Sequence, residues 1–266
     1  MAATRLDITP ASAGNRQTMT FSFWSKISSL VNPINSSYYF PIFHMNVGVD
    51  YTLVYLNNGS NTFAVLDSNG TNIVTNRKFR DINAWYHFVV AIDTTQATAS
   101  DRVKIYVNGV QETSFSTSTY PSQNANMSWN NNNLNSIGQH SSATDYYYLG
   151  LLSHVHFIDG TQYQASDFGE YDANGVWKIK TSPSVTYGTN GFFILKDGNS
   201  LTDQSGNGNN FSLATGSLVN TEDNPSNVFA TMNPLAIPTS GGANTFSNGN
   251  LEITNSADAL EHHLAQ

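Results

Sequence analysis

The sequence predicts an all-β protein, a two-sheet antiparallel sandwich or jelly roll with a C-terminal extension, and three observations carry that prediction. Residues Thr20-Phe21-Ser22-Phe23-Trp24-Ser25 alternate polar with aromatic side chains, the period of two that gives a strand one buried face. Asn108-Gly109 stands between two alternating runs, the strongest short hairpin signal, because both central residues of a type I′ turn need positive φ. No window of eleven or more residues before the tail shows an apolar period of 3.6, while short apolar runs recur between clusters of Gly, Asn, Ser and Pro.

The strand at 20–25 is followed by candidates at 38–44, 51–56 and 62–66. Residues 85–93 are nearly all apolar, as a central strand covered on both faces would be. Residues 102–107 alternate strictly, turn at Asn108-Gly109 and return over 110–113. Further strands are expected at 135–138, 147–158, 191–195 and 228–232, and helix is confined to a single turn near 165–168 and a segment at 257–264. From Leu235 the composition shifts to Pro-Thr-Ser-Gly-Gly-Ala-Asn, a linker, before one strand over 245–254 that turns at Asn248-Gly249. The body is therefore expected to span 1–234. The tail, 235–266, reads either as a frayed terminus or as a docking or oligomerisation arm, since a lone strand and a short helix cannot hold themselves together.

Composition bounds the function. The 266 residues include 11 Lys+Arg against 19 Asp+Glu, a formal charge of −8, and only 11% are charged. Globular chains carry about 25% charge, so solubility must come from neutral polar groups. With 39% apolar residues and 19 Gly there is material for a real core. So few basic residues, none clustered beyond Asn76-Arg77-Lys78-Phe79-Arg80, cannot neutralise many phosphates, which argues against nucleic-acid binding. No apolar stretch approaches the roughly 20 residues of a membrane span, and residues 1–10 have neither a basic start nor an apolar run, so neither membrane insertion nor an attached signal peptide is expected. The absence of cysteine removes disulfides and thiolate chemistry. What remains is a surface of Asn, Ser, Thr and Gly with 13 Tyr and 15 Phe, which works through hydrogen bonds and ring faces.

Four motifs in order, Phe21-Ser22-Phe23-Trp24, then Trp85-Tyr86-His87-Phe88-Val89-Val90, then Val103-Lys104-Ile105-Tyr106-Val107-Asn108-Gly109, then Tyr148-Leu149-Gly150-Leu151-Leu152, resemble laminin-G-like domains of the concanavalin-A-like superfamily. The resemblance covers about residues 4–160 and implies a two-sheet antiparallel jelly roll. Beyond it, Phe168-Gly169-Glu170, Gly175-Val176-Trp177-Lys178, Tyr187-Gly188-Thr189-Asn190-Gly191-Phe192, Asp203-Gln204-Ser205-Gly206-Asn207-Gly208-Asn209-Asn210-Phe211 and Asn227-Val228-Phe229-Ala230-Thr231-Met232-Asn233-Pro234 are similar to laminin-G-like virion proteins of tailed bacteriophages, marine and cyanobacterial phages especially. In ordinary laminin-G-like domains the D-x-S-G-N-G-N element precedes the first strand, whereas here it follows the last. A permuted closing strand near 191–195 would explain the difference. The phage resemblance implies a fibre or capsid-decoration component on the virion surface, made in the host cytoplasm. Its expected partners are other capsid or tail proteins and copies of itself in a trimer or ring.

Glucanases of that superfamily use an E-x-D-x-x-E strand, because retaining hydrolysis needs an acid and a nucleophile about 5 Å apart. The glutamates are Glu112, Glu170, Glu222, Glu252 and Glu261, with no acidic pair at i, i+2 or i+4 on an expected strand, so the chain is read as a non-enzyme. His154 and His156, two apart on an expected strand, would share a face that a metal could use, or serve as cross-strand packing residues. Asp203, Ser205, Asn207 and Asn209 supply hard oxygens suited to Ca²⁺, the one cofactor expectation, with a multi-turn loop stapled by Asx-turns as the alternative. Sugar binding in laminin-G-like folds draws on aromatics that stack on pyranose rings beside Asn or Asp. Trp129 with Asn130, Asn131, Asn132 and Asn133, the run Tyr146, Tyr147 and Tyr148, and Tyr38-Tyr39 fit that description, in competition with core packing. The Asn run in particular is expected at an exposed tip, since burying four amides would leave many polar atoms to satisfy. The expected function is a virion surface protein engaging host-surface glycan, with a ligand-free cement or adaptor role as the alternative.

Overall fold

The computed structural model describes residues 3–31, 39–143, 145–196, 200–227, 244–247 and 252–255. The strands in chain order are β1 (Arg5–Ile8), β2 (Thr18–Ile27), β3 (Phe40–Val47), β4 (Asp50–Leu56), β5 (Thr62–Asp67), β6 (Thr71–Lys78), β7 (Tyr86–Asp93), β8 (Val103–Val107), β9 (Val110–Gln111) and β10 (Phe115–Thr119). They continue as β11 (Asn135–Ile137), β12 (Gly150–Asp159), β13 (Gly169–Tyr171), β14 (Trp177–Ile179), β15 (Phe192–Ile194), β16 (Ser212–Thr215), β17 (Asn244–Ser247) and β18 (Glu252–Asn255). Two single-turn helices, α1 (Ala99–Arg102) and α2 (Ala165–Phe168), interrupt them. An eight-stranded sheet runs β10-β6-β5-β4-β3-β11-β1-β16 and a six-stranded sheet runs β15-β12-β2-β7-β8-β9. All pairings in both sheets are antiparallel.

The sandwich closes because each sheet turns one row of apolar side chains inward. On β2, Met19, Phe21 and Phe23 are fully buried, and the alternate residues Thr20, Ser22 and Trp24 point the other way. Rings meet across the gap: Phe21 lies 5.5 Å from Phe43 of β3, and Phe63 of β5 lies 4.6 Å from Phe88 of β7. Strand β7 is buried on both faces, as its apolar run implied. Phe88, Val90 and Ile92 enter the main core, while Val89 and Ala91 pack with Ile158, Ala165 and Phe168 in a second layer under α2. The β13–β14 hairpin is pinned to this layer through His87, stacked between Trp24 at 4.8 Å and Trp177 at 5.9 Å. Trp177 Nε1 donates to His87 Nδ1. The β8–β9 turn is the expected one, with φ of 48° at Asn108 and 84° at Gly109.

Several expectations are corrected. The sequence pattern gives no signal for strands β1, β6, β10, β13, β14 and β16; most are short or polar, so their own alternation is weak and their strand form depends on the partners they pair with. The return strand at 110–113 shrinks to Val110–Gln111, since it sits at the sheet edge with no further neighbour. The tail segment at 245–254 is a hairpin, β17 with β18, rather than one strand. The expected strand at 228–232, the helix at 257–264 and Tyr38 lie outside the described residues.

A buried ion pair ties the end of the body to its centre. Lys26 Nζ lies 2.6 Å from Asp223 Oδ2, and Trp85 Nε1 donates to Asp223 Oδ1 at 3.2 Å, with Lys26 2% and Asp223 0% exposed. No helix among the described residues is long and apolar enough to cross a membrane.

Candidate functional site

The outer face of the six-stranded sheet is covered by α2 and the β13–β14 hairpin, so the accessible broad face is that of the eight-stranded sheet. There the outward residues Tyr51, Tyr55, Leu66, Asn72 and Val74 are half-exposed. Over its centre lies a cluster of rings. Tyr39, just before β3, is 4.9 Å from Tyr55 of β4 and 4.5 Å from Tyr146, in the connection from β11 to β12. Beneath them His140 stacks on His44 with centroids 3.5 Å apart, and Tyr146 lies 5.9 Å from His140. The three tyrosines are half-exposed, so each ring keeps part of its surface in solvent. Burial pushes the Tyr39 and Tyr55 phenols still further above their ordinary range.

Local chain geometry explains the placement. β3 alternates, with Phe43 and Met45 buried in the core and His44 on the outer face beside Ser136 of β11 and Leu53 of β4. Ser136 Oγ donates to Asp7 Oδ1, and Arg5 spans from Asp7 to the carbonyl of Ser141, which it reaches at 3.0 Å. Ser141 N–H donates to His44 Nδ1 and Ser142 N–H to His140 Nδ1, both at 3.2 Å. His140 N–H in turn donates to the Tyr146 carbonyl, so the turn carrying His140 fixes Tyr146 in position.

The glycan-site residues expected from sequence are distributed unequally. Tyr39 and Tyr146 come together as described. Tyr147 is half-exposed and bridges to Gln139. Tyr148 is a structural tie: its hydroxyl lies 2.6 Å from Ser25 Oγ and donates to the Lys26 carbonyl. Trp129 and Asn130 correct the expectation of an exposed tip. Trp129 is 1% exposed and packs against Phe21, Phe43 and Phe157 at 5.4, 4.5 and 5.7 Å. Asn130 is 2% exposed, and its amide donates to Asp159 Oδ1 at 2.6 Å and accepts from Asn190 at 2.9 Å. Distant residues satisfy the buried amide, which the local run of Asn could not reveal. Asn131 and Asn133 are half-buried, and only Asn132 is exposed. Trp129, Asn130 and Asn209 do line one cavity with Pro10, Asn135 and Asn190, but its volume of about 10 Å³ suits a single water and excludes a sugar ring.

The Asp203 loop is arranged as a staple. Asp203 Oδ1 accepts from the N–H groups of Phe193 and Ser205, and Oδ2 from Ser205 Oγ and Asn209 N–H. Asn207 and Asn209 direct their amide nitrogens at the carbonyls of Gly188, Thr189 and Gly191. The Asp203 carboxylate and the Ser205 hydroxyl are thus engaged with donors of the chain itself, which is the multi-turn staple given above as the alternative to an ion loop. A bulge between Ser153 and His156 interrupts the alternation of β12. His154 Nδ1 meets Ser153 Oγ at 2.8 Å, and His156 Nδ1 meets the Tyr187 hydroxyl at 2.9 Å. Among the described residues no group of three or more His, Cys, Asp or Glu is arranged to hold a metal. The adjacent tail histidines His262 and His263 lie outside the described residues.

Sequence reasoning missed His44, His140, Arg5 and Tyr55. The outward position of His44 in an alternating strand was a usable signal, whereas its meeting with His140 joins residues 96 apart and had none.

Comparison with known proteins gives one family. A family model described as the concanavalin A-like lectin/glucanases superfamily matches residues 3–165. Among solved structures, the chain is similar to a candidate carbohydrate-binding protein from Bacteroides ovatus, with 12% identity, a TM-score of 0.48, and coverage of 84% of this chain and 61% of that one. It is similar to the heptameric SAP-like pentraxin of Limulus polyphemus, with 14% identity, a TM-score of 0.43, and coverage of 61% of this chain and 72% of that one. Domains LG4-5 of the mouse laminin alpha1 chain match with 11% identity and a TM-score of 0.42, over 62% of this chain and 41% of that one. No curated protein matches the sequence.

Proposed function

The chain belongs to the concanavalin A-like lectin/glucanases superfamily, and from that premise we propose that it is a non-enzymatic carbohydrate-binding protein whose ligand lies on the Tyr39–Tyr55–Tyr146 surface. The observation that carries the reading is the cluster itself: three half-exposed phenol rings with centroids 4.5 and 4.9 Å apart in successive contact, standing off the hydrophobic core on an accessible sheet face. Tyrosine offers a flat apolar face to the C–H face of a pyranose and a hydroxyl to its oxygens. The buried carboxylates support the non-enzymatic half of the reading. Asp67, Asp159, Asp203 and Asp223 each accept hydrogen bonds from groups of the chain, which is a structural employment.

The biological setting we propose is the surface of a tailed-bacteriophage virion, as a fibre or capsid-decoration component in trimeric or ring copies that engages host-surface glycan. The motif resemblance over residues 168–234 supports it. A cement or adaptor role is the second reading, favoured by the β17–β18 hairpin, whose ladder pairs only with itself among the described residues and which would gain stability by docking on another chain. The test is a glycan array with wild type, Tyr39→Ala and Tyr146→Ala, each checked for native circular dichroism. Loss of a wild-type glycan signal in both variants supports the proposal. An array on which wild type binds nothing, together with failure to assemble after removal of residues 235–266, replaces it with the second reading.

A further inference from the structure

We propose that His44 and His140 form a latch of two neutral imidazoles that holds residues 139–143, and through them Tyr146, against the large sheet, and that acidification opens this latch and dismantles the tyrosine surface. The consequence for ligand release rests on the carbohydrate-binding reading; the latch itself does not.

The geometry fixes the protonation state that the latch requires. Two consecutive backbone N–H groups, of Ser141 and Ser142, donate to Nδ1 of His44 and Nδ1 of His140, and the hydroxyls of the same serines lie 3.3 and 3.2 Å from the same nitrogens. A ring nitrogen that accepts an N–H carries no proton, so both imidazoles have their single proton on Nε2. Protonating Nδ1 would set donor against donor at both serines. It would also place two cations in rings whose centroids are 3.5 Å apart.

The charged and titratable surroundings oppose that second state. From β1, Arg5 brings a fixed positive charge to the Ser141 carbonyl, and the facing carboxylate, Asp7, is already paired with Arg5 Nε at 3.1 Å. Asp145 belongs to the same connection as Tyr146, and the remaining facing groups are the phenols of Tyr39, Tyr51, Tyr55 and Tyr146. Burial, with the neighbouring His140 and Arg5 adding to it, lowers His44 from 6.5 to about 3, and burial lowers His140 as well. His87 and His156 are also held neutral, but they lie beneath α2 and the β13–β14 hairpin, inside the packed body. His140, by contrast, is half-exposed on a surface turn, where opening disturbs no core strand.

If the opened turn returns His44 to its ordinary value, His44 alone raises the opening constant by about thirty-fold between pH 7.5 and pH 5.0, and His140 adds to that rise. Hydrogen exchange of the ligand-free protein, corrected for the intrinsic pH dependence of amide exchange, reads this directly. Protection of residues 139–143 should fall by that order while β7 keeps its protection. In His140→Gln, whose side chain can accept but cannot titrate, the fall should be smaller, and His44→Gln should remove most of it. Should the buried His44→Gln fail to fold, wild type and His140→Gln decide alone. An equal change in β7, or an undiminished fall in His140→Gln, overturns the latch. Glycan binding measured at the same two pH values separates the two ideas. A latch that opens in a protein binding no glycan keeps this inference and removes the carbohydrate reading; binding at pH 7.5 with unchanged protection at pH 5.0 does the reverse.

Discussion

Replacing Trp129 by Ala should unfold this protein more readily by about 5 kcal/mol and leave the binding chemistry of the folded fraction alone. The indole is 1% exposed, and its ring touches Phe21 of β2, Phe43 of β3 and Phe157 of β12, so it bridges the two sheets. A fully buried Trp removes about 250 Å² from water, worth about 6 kcal/mol at about 25 cal/mol per Å². Alanine retains part of that burial and the void left behind adds a cavity term of opposite sign; the measured range for Trp→Ala, about 3–5 kcal/mol, bounds the sum, and complete burial places Trp129 at its upper end. For a chain of this size each kcal/mol moves Tm by roughly 2–4 °C, so the midpoint should drop by about 10–20 °C. Urea unfolding followed by tryptophan fluorescence and far-UV circular dichroism gives the free energy, and Trp129→Phe should recover more than half of it by refilling the space. A loss below about 1 kcal/mol, or loss of ligand binding at unchanged stability, would refute the placement of this ring in the core.

Asp223→Ala should cost about 3–5 kcal/mol in urea unfolding, because it strands the buried Lys26 charge and removes the acceptor of Trp85 Nε1, whereas the joint replacement Lys26→Met with Asp223→Leu should recover most of the loss. Addition of calcium or of a chelator should leave Tm unchanged within error, while Asp203→Ala lowers stability by about 1–3 kcal/mol in either condition, since its four donors lose their acceptor. Stability should fall as pH is lowered from 6.5 toward 3. His44 and His87 bind a proton less readily folded, at about 3, than unfolded, at 6.5, so the unfolded state takes up protons first across that window. Each contributes about 2 kcal/mol of destabilisation by pH 5, seen as a drop in urea midpoint that His44→Gln should reduce.

What the sequence determined by itself is whatever period-two alternation and turn chemistry encode locally. Phe21 and Phe23 facing inward, β7 sheathed on both sides and the type I′ turn at Asn108-Gly109 all follow from residues within a few positions of one another. The family motifs, being strands of this kind, were legible for the same reason. Strands β10 and β16 were not, because polar edge segments take strand form from a neighbour's unpaired backbone. Tertiary structure alone decided which polar and aromatic side chains are inside. Asn130 looked like part of an exposed run and is buried because Asp159 and Asn190, 29 and 60 residues away, satisfy its amide. Trp129 followed it into the core, and Tyr39, Tyr55, His44, His140 and Tyr146 met on one face only because β3, β4 and the β11–β12 connection are neighbours in the sheet. Burial of a polar group depends on partners that are close in space and distant in sequence, and local pattern carries no record of them.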